Sequence, residues 1–552
     1  MSKIIIIGSG FASLSSACYL AQAGNEVIVL EKNADLGGRA RSMDIPIPGY
    51  YDTNDNLIVF GKGAKGSKGN HHDKTPKFTF DMGPSWYWMP GVVDRFFADF
   101  DKSVSDYYVL KKLEPSFRMF MADGVQVDLP TDFKDILAFF DAQEPDGKGA
   151  SKLLQLMKDG EFTYSKSVND YMLRPSLSYK EFMSPEFIFG VIKGGLLSSY
   201  QKKIHKLFES PILRTILDFP TLFLGATPAK TPYLYNMMAY TMLVHGTSYP
   251  MGGMNQIVKA MVSLGEELGV KYYTQCQVKK LEVEKGVINS VFVHDISKGA
   301  NQELFNQKEN DPEGIFGKMS ITDFYDLNCD YVVAGADYHF VEQTLLDPRY
   351  RLYSEDYWDK RVLAPSSIIF YIGVNKILPN LQHHNLFFDS DFDQHAKQIY
   401  DTPEYPIDPL FYLSVTSKTD RTVAPKNCEN LFALIPIAPG LEDTEEIRDN
   451  YYRQIIKRIS QRVGFDIKPH IICKQSYSVK NFEDDYNSYK GNAYGLANTL
   501  DQTAIFKPKM HSKKVANLVY AGQMTVPGPG IPPTIFSGKI AAELIAALKT
   551  QK

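Results

Sequence analysis

The stretch IIIIGSGFASLS, residues 4–15, decides the fold of this chain. Four isoleucines in a row favour a strand that is buried on both faces of a parallel sheet. Apolar or small side chains then recur with helical spacing at Leu14, Ala17, Cys18 and Ala21. The sequence therefore predicts a strand, a glycine turn and a helix in immediate succession.

The glycine turn between this strand and helix predicts a dinucleotide site. Gly8 allows the tight turn, and Gly10 lets a pyrophosphate approach the helix N-terminus, where unpaired N–H groups favour anions. Ser13 stands where a third glycine normally permits close packing, and it is small enough to substitute. Glu31 ends the next predicted strand, about 20 residues beyond the turn, where a carboxylate binds ribose hydroxyls.

A second glycine pattern, GKGAKGSKG at residues 61–69, is interpreted differently. The segment NHHDKTPK that follows it cannot begin a helix, so the pattern predicts a flexible, lysine-rich surface loop. His71 and His72 are adjacent and have no supporting cluster of ligands, so no metal site is expected there.

Two further segments contain turns that suit a phosphate-bearing cofactor. In NADLGGRARS, Gly37 and Gly38 allow close backbone approach, and Arg39 offers a forked donor for phosphate. Near the other end, NLVYAGQMTVPGPGIPPTIF predicts a strand, a glycine and proline turn over 522–533, and a second helix N-terminus facing the cofactor.

Composition predicts a globular protein and argues against a protein that binds nucleic acid. The 552 residues are 44% hydrophobic and include 34 Phe and 33 Tyr, which indicates about two to four structural units with a large core. The aromatic side chains suit either that core or an apolar ligand. A net charge of −4 provides no basic field, so nucleic acid is not an expected partner.

Cysteine usage and hydropathy favour a cytoplasmic protein; if it meets a membrane, it does so from one side. The five cysteines are widely spaced and form no CxxC pair, which is typical of reduced thiols and argues against a zinc site. The first strand begins by Ile4 and leaves no room for a signal peptide. No apolar run is judged to approach the roughly 20 residues that span a bilayer.

Several blocks together resemble a known family. The glycine loop with EKxxxxGGR is similar to the flavoprotein superfamily of amine oxidases, protoporphyrinogen oxidases and carotenoid desaturases. FTFDMGPSWYWMP at 78–90, YPMGGMNQIVKAMVSLGEELGV at 249–270 and the PGPGIP ending resemble the bacterial-type phytoene desaturases. Residues 51–77 and 299–326 depart from that pattern as insertions, which are expected to be surface loops.

The resemblance implies an α/β fold and a segmented domain layout. It implies a Rossmann-like FAD-binding domain of the amine-oxidase/glutathione-reductase type, interleaved with an α+β substrate domain. The FAD-binding domain is expected from residues 1–105, 245–345 and 505–552. The substrate domain is expected from residues 106–244 and 346–504.

The resemblance also implies which residues bind FAD. Val278 is expected to contact the adenine through its backbone. Gln523 is a departure from the family pattern, because relatives often carry other residues at this position. The full expected set is Gly8, Ser9, Gly10, Phe11, Ala12, Glu31, Lys32, Gly38, Arg39, Ala40, Pro84, Ser85, Trp86, Val278, Gly522, Gln523, Gly530, Ile531 and Pro532.

The implied activity is stepwise dehydrogenation of phytoene towards lycopene, with a quinone or oxygen reoxidising the flavin. Asp81 is either a base or a backbone cap, and no catalytic base is assigned. The apolar and lysine-rich segment 186–208, with 219–228, is either a membrane entrance or a pair of core helices. Alternatives are a desaturase of hydroxylated or cyclised carotenoids, a carotenoid isomerase, an amine oxidase, and a prenyl-lipid escort protein without flavin.

Overall fold

A computed structural model describes the chain over residues 1–47, 49–51, 57–59, 76–182, 198–225, 227–297 and 324–550. Its strands are β1 Lys3–Ile7, β2 Glu26–Leu30, β3 Ser42–Pro46, β4 Gly49–Tyr51, β5 Leu57–Val59, β6 Lys77–Asp81, β7 Leu110–Lys112, β8 Phe117–Met121, β9 Gln126–Leu129, β10 Ser248–Pro250, β11 Lys271–Tyr273, β12 Cys276–Glu284, β13 Val287–Asp295, β14 Phe324–Asn328, β15 Tyr331–Ala334, β16 Ser366–Val374, β17 His384–Phe388, β18 Phe411–Ser414, β19 Glu429–Ile437, β20 Ile471–Tyr477 and β21 Leu518–Tyr520.

The helices include long elements and single turns. They are α1 Phe11–Gln22, α2 Pro90–Ala98, α3 Phe133–Gln143, α4 Gly149–Asn169, α5 Tyr200–Leu207, α6 Pro211–Asp218, α7 Met237–Tyr240, α8 Asn255–Glu267, α9 Tyr338–Phe340, α10 Glu355–Asp359, α11 Phe392–Tyr400, α12 Glu445–Val463, α13 Val479–Tyr486 and α14 Ile531–Thr550.

A five-stranded parallel sheet holds the predicted nucleotide turn. Its order is β11-β2-β1-β15-β21, and Ile4 pairs with Val27 on one side and with Tyr331 on the other. Ile4 is fully buried, as expected for the central strand of a parallel sheet covered on both faces. The predicted strand, turn and helix are therefore confirmed as β1, Gly8–Gly10 and α1.

The two faces of this sheet are covered by different elements. On one face, α1 and α14 pack together, and Ile540 and Ile545 bury their side chains with Ile4 and Ala17. On the other face lies an antiparallel sheet of order β12-β13-β14.

A second, larger sheet forms the other half of the molecule. Its order is β20-β16-β19-β18-β17-β8-β9, and all its pairs are antiparallel except β17 with β8. Every residue of β16 is buried because α12 packs on one face and a large aromatic cluster lies on the other. A Rossmann-like unit joined to an α+β unit confirms the predicted fold class, while the domain boundaries stay predictions.

The C-terminal helix corrects one expectation from the sequence. Within the described residues, α14 alone is long and apolar enough to cross a membrane, so the judgement that no segment qualifies is wrong by length and composition. In this fold α14 packs along α1, because Gly538 lacks a side chain and lets the two backbones approach closely.

Several sequence predictions fall largely outside the described part of the chain. The first insertion is described at β4, β5 and the start of β6, and the second only where β14 begins. The lysine-rich loop at 61–69 and the two adjacent histidines lie outside it, as do the apolar residues from Phe187 to Leu197.

Candidate functional site

One cavity contains every residue that the sequence predicts to bind FAD. Its volume is about 730 Å³. Residues of both large sheets line it, and all 19 predicted residues are among them. The sequence blocks that lie hundreds of residues apart therefore meet around a single space.

The nucleotide turn leaves room for a bound group at Gly10. Gly8 has a φ of +88° and donates its N–H to Leu30 at 2.8 Å. A Cβ built on Gly10 would meet no atom within 4 Å, because this position faces the open cavity at the start of α1. The turn thus has the shape that a pyrophosphate requires.

Ser13 replaces the third glycine because its neighbour compensates. A Cβ on Gly335, which follows β15, would lie 1.9 Å from Ser13 Oγ. The glycine needed for close packing of helix against strand is therefore supplied by the facing turn. This finding explains why the serine does not prevent the nucleotide fold.

Glu31 lies at the carboxyl end of β2 with both carboxylate oxygens held in place. Oε2 accepts from the N–H and hydroxyl of Ser9 at 3.0 and 2.6 Å. Oε1 accepts from the N–H and side-chain amide of Asn33 at 2.8 and 2.9 Å. These four hydrogen bonds fix the carboxylate beside the nucleotide turn, in the position expected of a ribose ligand.

The GGR segment closes the same end of the cavity. Gly38 has a φ of +55°, and a Cβ on it would lie 3.3 Å from Gly10 Cα. Arg39 donates through one terminal nitrogen to Ser488 Oγ and to the Asn492 carbonyl, at 3.0 and 3.2 Å. Its buried Nε has no hydrogen-bond partner among the described residues, so it retains a donor for phosphate.

The C-terminal turn differs in one respect from the sequence prediction. Helix α14 begins at Ile531, so Pro532 and Pro533 lie in its first turn rather than in the preceding loop. Proline is favoured there but has no N–H, and the Thr534 N–H donates to Gly530. The donors for a bound anion at this helix start therefore lie before Pro532.

Sequence reasoning missed two parts of the cavity wall. Asp337 follows β15 at the carboxyl edge of the parallel sheet, and the glycine turn after this strand is the signal that could have found it. Lys32 Nζ contacts Asn487 Oδ1 at 3.1 Å and so joins the nucleotide side to the second wall. That wall has no recognisable motif and comprises Phe482, Asp485, Tyr486, Asn487, Ala493, Tyr494 and Asn498.

Beyond the nucleotide end the cavity is apolar and aromatic. Trp86 stacks on His384 with ring centroids 4.0 Å apart and contacts Phe219 and Tyr412. The apolar side chains of this part include Leu222, Leu234, Met237, Met238, Ile369, Leu386, Phe388, Phe392, Ile399, Leu410, Phe411 and Leu434. Such a lining suits a hydrocarbon, and none of these described side chains gives a counter-ion to a cation.

His395 lines this apolar part but is fixed as a neutral ring. Its Nδ1 accepts from the Leu410 N–H at 3.0 Å, so Nε2 carries the proton and donates to the Pro436 carbonyl at 2.9 Å. Burial lowers the pKa of His395 to about 4. Both nitrogens are occupied, and the ring is therefore a poor general base.

Lys507 lies behind the C-terminal turn as a buried amine. Its Nζ has no hydrogen-bond partner among the described residues, and a Cβ on Gly528 would lie 3.6 Å from it. Burial lowers the pKa of Lys507 from 10.5 to about 7. An unpartnered buried amine destabilises a fold by about 1–3 kcal/mol.

Lys507→Met should therefore raise the unfolding temperature at pH 7. Between pH 7 and 10.5 the unfolded chain binds a proton at this lysine that the folded chain does not, so wild-type stability should rise with pH in that window. In Lys507→Met, the free energy of unfolding should not show this rise with pH. Thermal unfolding from pH 6 to 10 measures both effects, with exposed Lys513→Met as the control; an unchanged slope in Lys507→Met would contradict the prediction.

The residues present fit FAD. The open position at Gly10, the fixed Glu31 carboxylate and the unpartnered Nε of Arg39 suit its ribose and phosphates. The described residues contain no group of three or more His, Cys, Asp or Glu side chains placed to hold a metal ion. None of the five cysteines forms a disulfide within the described part of the chain.

Comparison with known proteins agrees with this geometry. Residues 11–546 match the family of flavin containing amine oxidoreductases. The chain is 35% identical to a carotenoid 3,4-desaturase of Haloarcula japonica, over 98% of this chain and 97% of that protein. It is 27% identical to a phytoene desaturase of Fusarium fujikuroi, over 98% and 89% of the two chains. It is 25% identical to a 1-hydroxycarotenoid 3,4-desaturase of a Flavobacterium species, over 99% of both.

Solved structures share the fold at low identity. Putrescine oxidase bound to putrescine has a TM-score of 0.54 and 11% identity, over 99% of both chains. Cyclohexylamine oxidase from Brevibacterium oxydans has a TM-score of 0.52 and 14% identity, over 100% of both. The fold, the cavity and the relatives agree: this chain belongs to the flavin-containing amine oxidoreductases and, among them, to the FAD-dependent carotenoid desaturases.

Proposed function

We propose that this enzyme dehydrogenates a CH–CH unit of a carotenoid chain that lies in the apolar part of the cavity. The observation that carries the proposal is the continuity of that apolar lining with the nucleotide turn at Gly10. Bound FAD supplies the acceptor for a hydride. The chain's own residues position the polyene and exclude water, which is catalysis by proximity and orientation.

Two carotenoid substrates are candidates. Phytoene, converted stepwise towards lycopene, follows from the sequence blocks at 78–90 and 249–270. A more unsaturated carotenoid, desaturated at the 3,4-position, is favoured by the 35% identity to a 3,4-desaturase against 27% to a phytoene desaturase. An amine substrate is disfavoured because the apolar lining offers its charge no partner.

We infer that the substrate enters from a membrane surface. Tyr179 and Phe506 line the cavity, yet they are 60% and 55% exposed, so they mark its mouth. Leu177, at 54% exposed, lies two residues from Tyr179. Exposed apolar side chains around a cavity mouth suit transfer of a lipid from a bilayer. Peripheral binding to the inner face of a membrane, with a quinone or oxygen as electron acceptor, completes the proposal.

Anaerobic incubation with carotenoid liposomes tests this function. The FAD-loaded protein should bleach its flavin absorbance while longer polyene bands appear in the extracted lipid. Liposomes with phytoene and liposomes with a more unsaturated, hydroxylated carotenoid distinguish the two substrates. Squalane liposomes and putrescine serve as controls. Bleaching by putrescine alone would contradict the proposal, and a geometric change of the polyene without flavin bleaching would indicate an isomerase.

A further inference from the structure

A second, small cavity lies beside the substrate cavity. Its volume is about 10 Å³, which is the volume that one water molecule requires. Its polar lining consists of Asp81, Ser85, Ser414, Thr416 and Asn430. Ser85 lines both cavities and therefore forms part of the wall between them.

Asp81 provides the carboxylate of this small cavity. It ends β6, and its Oδ1 accepts the Asn255 N–H at 3.3 Å at the start of α8. Gly253 makes this approach possible, because a Cβ there would lie 2.9 Å from Oδ1. The backbone-capping role considered from the sequence is therefore present, and the residue also faces the small cavity.

The surroundings of Asp81 favour proton uptake near neutral pH. Burial raises the pKa of Asp81 to about 6, against the lowering effect of backbone hydrogen bonds from Met254 and Asn255. Exposed Lys259 lowers the same pKa and Asp420 raises it. The other titratable groups that interact with Asp81 are the phenols of Tyr249, Tyr371 and Tyr412.

Hydroxyl groups connect the small cavity with the substrate cavity. Tyr412 lines the substrate cavity, and its hydroxyl lies 2.6 Å from His384 Nδ1. Burial raises the pKa of Tyr412, and the nearby hydroxyl groups of Ser414 and Ser85 oppose that shift. Ser85 and Tyr412 thus line the substrate cavity, and Ser85 and Ser414 line the small cavity together with Asp81.

We propose that Asp81 accepts, through one water molecule in the small cavity and the Ser85 hydroxyl, the proton that the substrate loses during desaturation. The inference rests on the proposed function. One carbon gives a hydride, a proton with two electrons, to FAD. The neighbouring C–H bond breaks, and its electron pair forms the new double bond. The proton passes to Ser85 Oγ as the Ser85 proton moves to the water, and a proton of the water moves to the Asp81 carboxylate.

The test compares Asp81→Asn with Asp420→Asn in the FAD-loaded enzyme on carotenoid liposomes. Asparagine keeps the acceptor for the Asn255 N–H but cannot take up a proton. Asp420 is a matched control because it is a buried aspartate that accepts the Gly252 N–H at 2.6 Å and does not line the small cavity. Asp81→Asn should lower the desaturation rate by about 100-fold, the scale of general-base effects.

Two further readouts separate proton transfer from a structural defect. A substrate deuterated at the carbon that loses the proton should show a larger isotope effect in Asp81→Asn than in the wild type. The wild-type rate should fall below about pH 6, where Asp81 becomes protonated, and this fall should be lost in Asp81→Asn. Infrared titration of the resting enzyme should show a buried carboxylic acid band at low pH that Asp81→Asn lacks.

The outcomes distinguish this inference from the function on which it rests. An active wild type with unchanged isotope effect and pH profile in Asp81→Asn would overturn the inference alone. Loss of the acidic fall or a larger isotope effect in Asp420→Asn would also overturn it, whereas a shift of that fall to lower pH is expected there because Asp420 raises the pKa of Asp81. A wild type that leaves every carotenoid untouched would overturn the proposed function, and the infrared titration would then still show whether Asp81 takes up a proton.

Discussion

Gly10→Val should weaken FAD binding by about 100-fold or more while leaving the apoprotein folded. Gly10 has an ordinary φ of −69°, and a Cβ there meets no atom within 4 Å, so the folded chain tolerates a side chain. That side chain would occupy the space that the pyrophosphate requires. Each charge-assisted hydrogen bond to the pyrophosphate is worth about 1.5–3 kcal/mol. Loss of two such bonds therefore weakens FAD binding by about 100-fold or more.

Fluorescence titration of the apoprotein with FAD measures this effect, and thermal unfolding checks the fold. Gly91→Val is the matched control, since Gly91 is exposed on α2 and its Cβ would approach only the Tyr164 hydroxyl, at 4.0 Å. The control should bind FAD as the wild type does. Normal FAD affinity in Gly10→Val would show that the pyrophosphate does not lie at this turn.

Gly538→Val should lower the free energy of unfolding by about 3 kcal/mol. A Cβ on Gly538 would lie 2.3 Å from the Ala12 carbonyl oxygen and 2.6 Å from Ser15 Cβ, so α1 and α14 must move apart. Overpacking of this kind costs about 1–3 kcal/mol, and occasionally more. The displacement should also lower FAD affinity, because α14 begins at the cavity and Ser15 Oγ holds the Ile535 carbonyl at 2.7 Å.

Calorimetric unfolding measures this loss, with Ala546→Val as the control. Ala546 lies on the exposed side of the same helix, where valine costs only a few tenths of a kcal/mol in helix propensity. Equal stability of Gly538→Val and Ala546→Val would contradict the close packing of the two helices.

Local patterns were sufficient for the nucleotide half of the site. Four isoleucines, two glycines and Glu31 predicted β1, the turn, α1 and the end of β2, because each signal acts within a few residues along the chain. The spacing also identified Ser13 as an exception to the glycine pattern. Its compensation by Gly335 was not predictable, since that contact joins α1 to a turn more than 300 residues further along the chain.

The sequence by itself determined two things. One is the set of elements that surround the cofactor site, and the other is the apolar character of the chain. The tertiary structure decided which distant segments share the cavity: the wall from Phe482 to Asn498, the mouth at Tyr179 and Phe506, and the small cavity beside Asp81. The physical reason is that propensity and periodicity are local. The closeness of a carboxylate, a hydroxyl and a cavity depends on how two large sheets pack together.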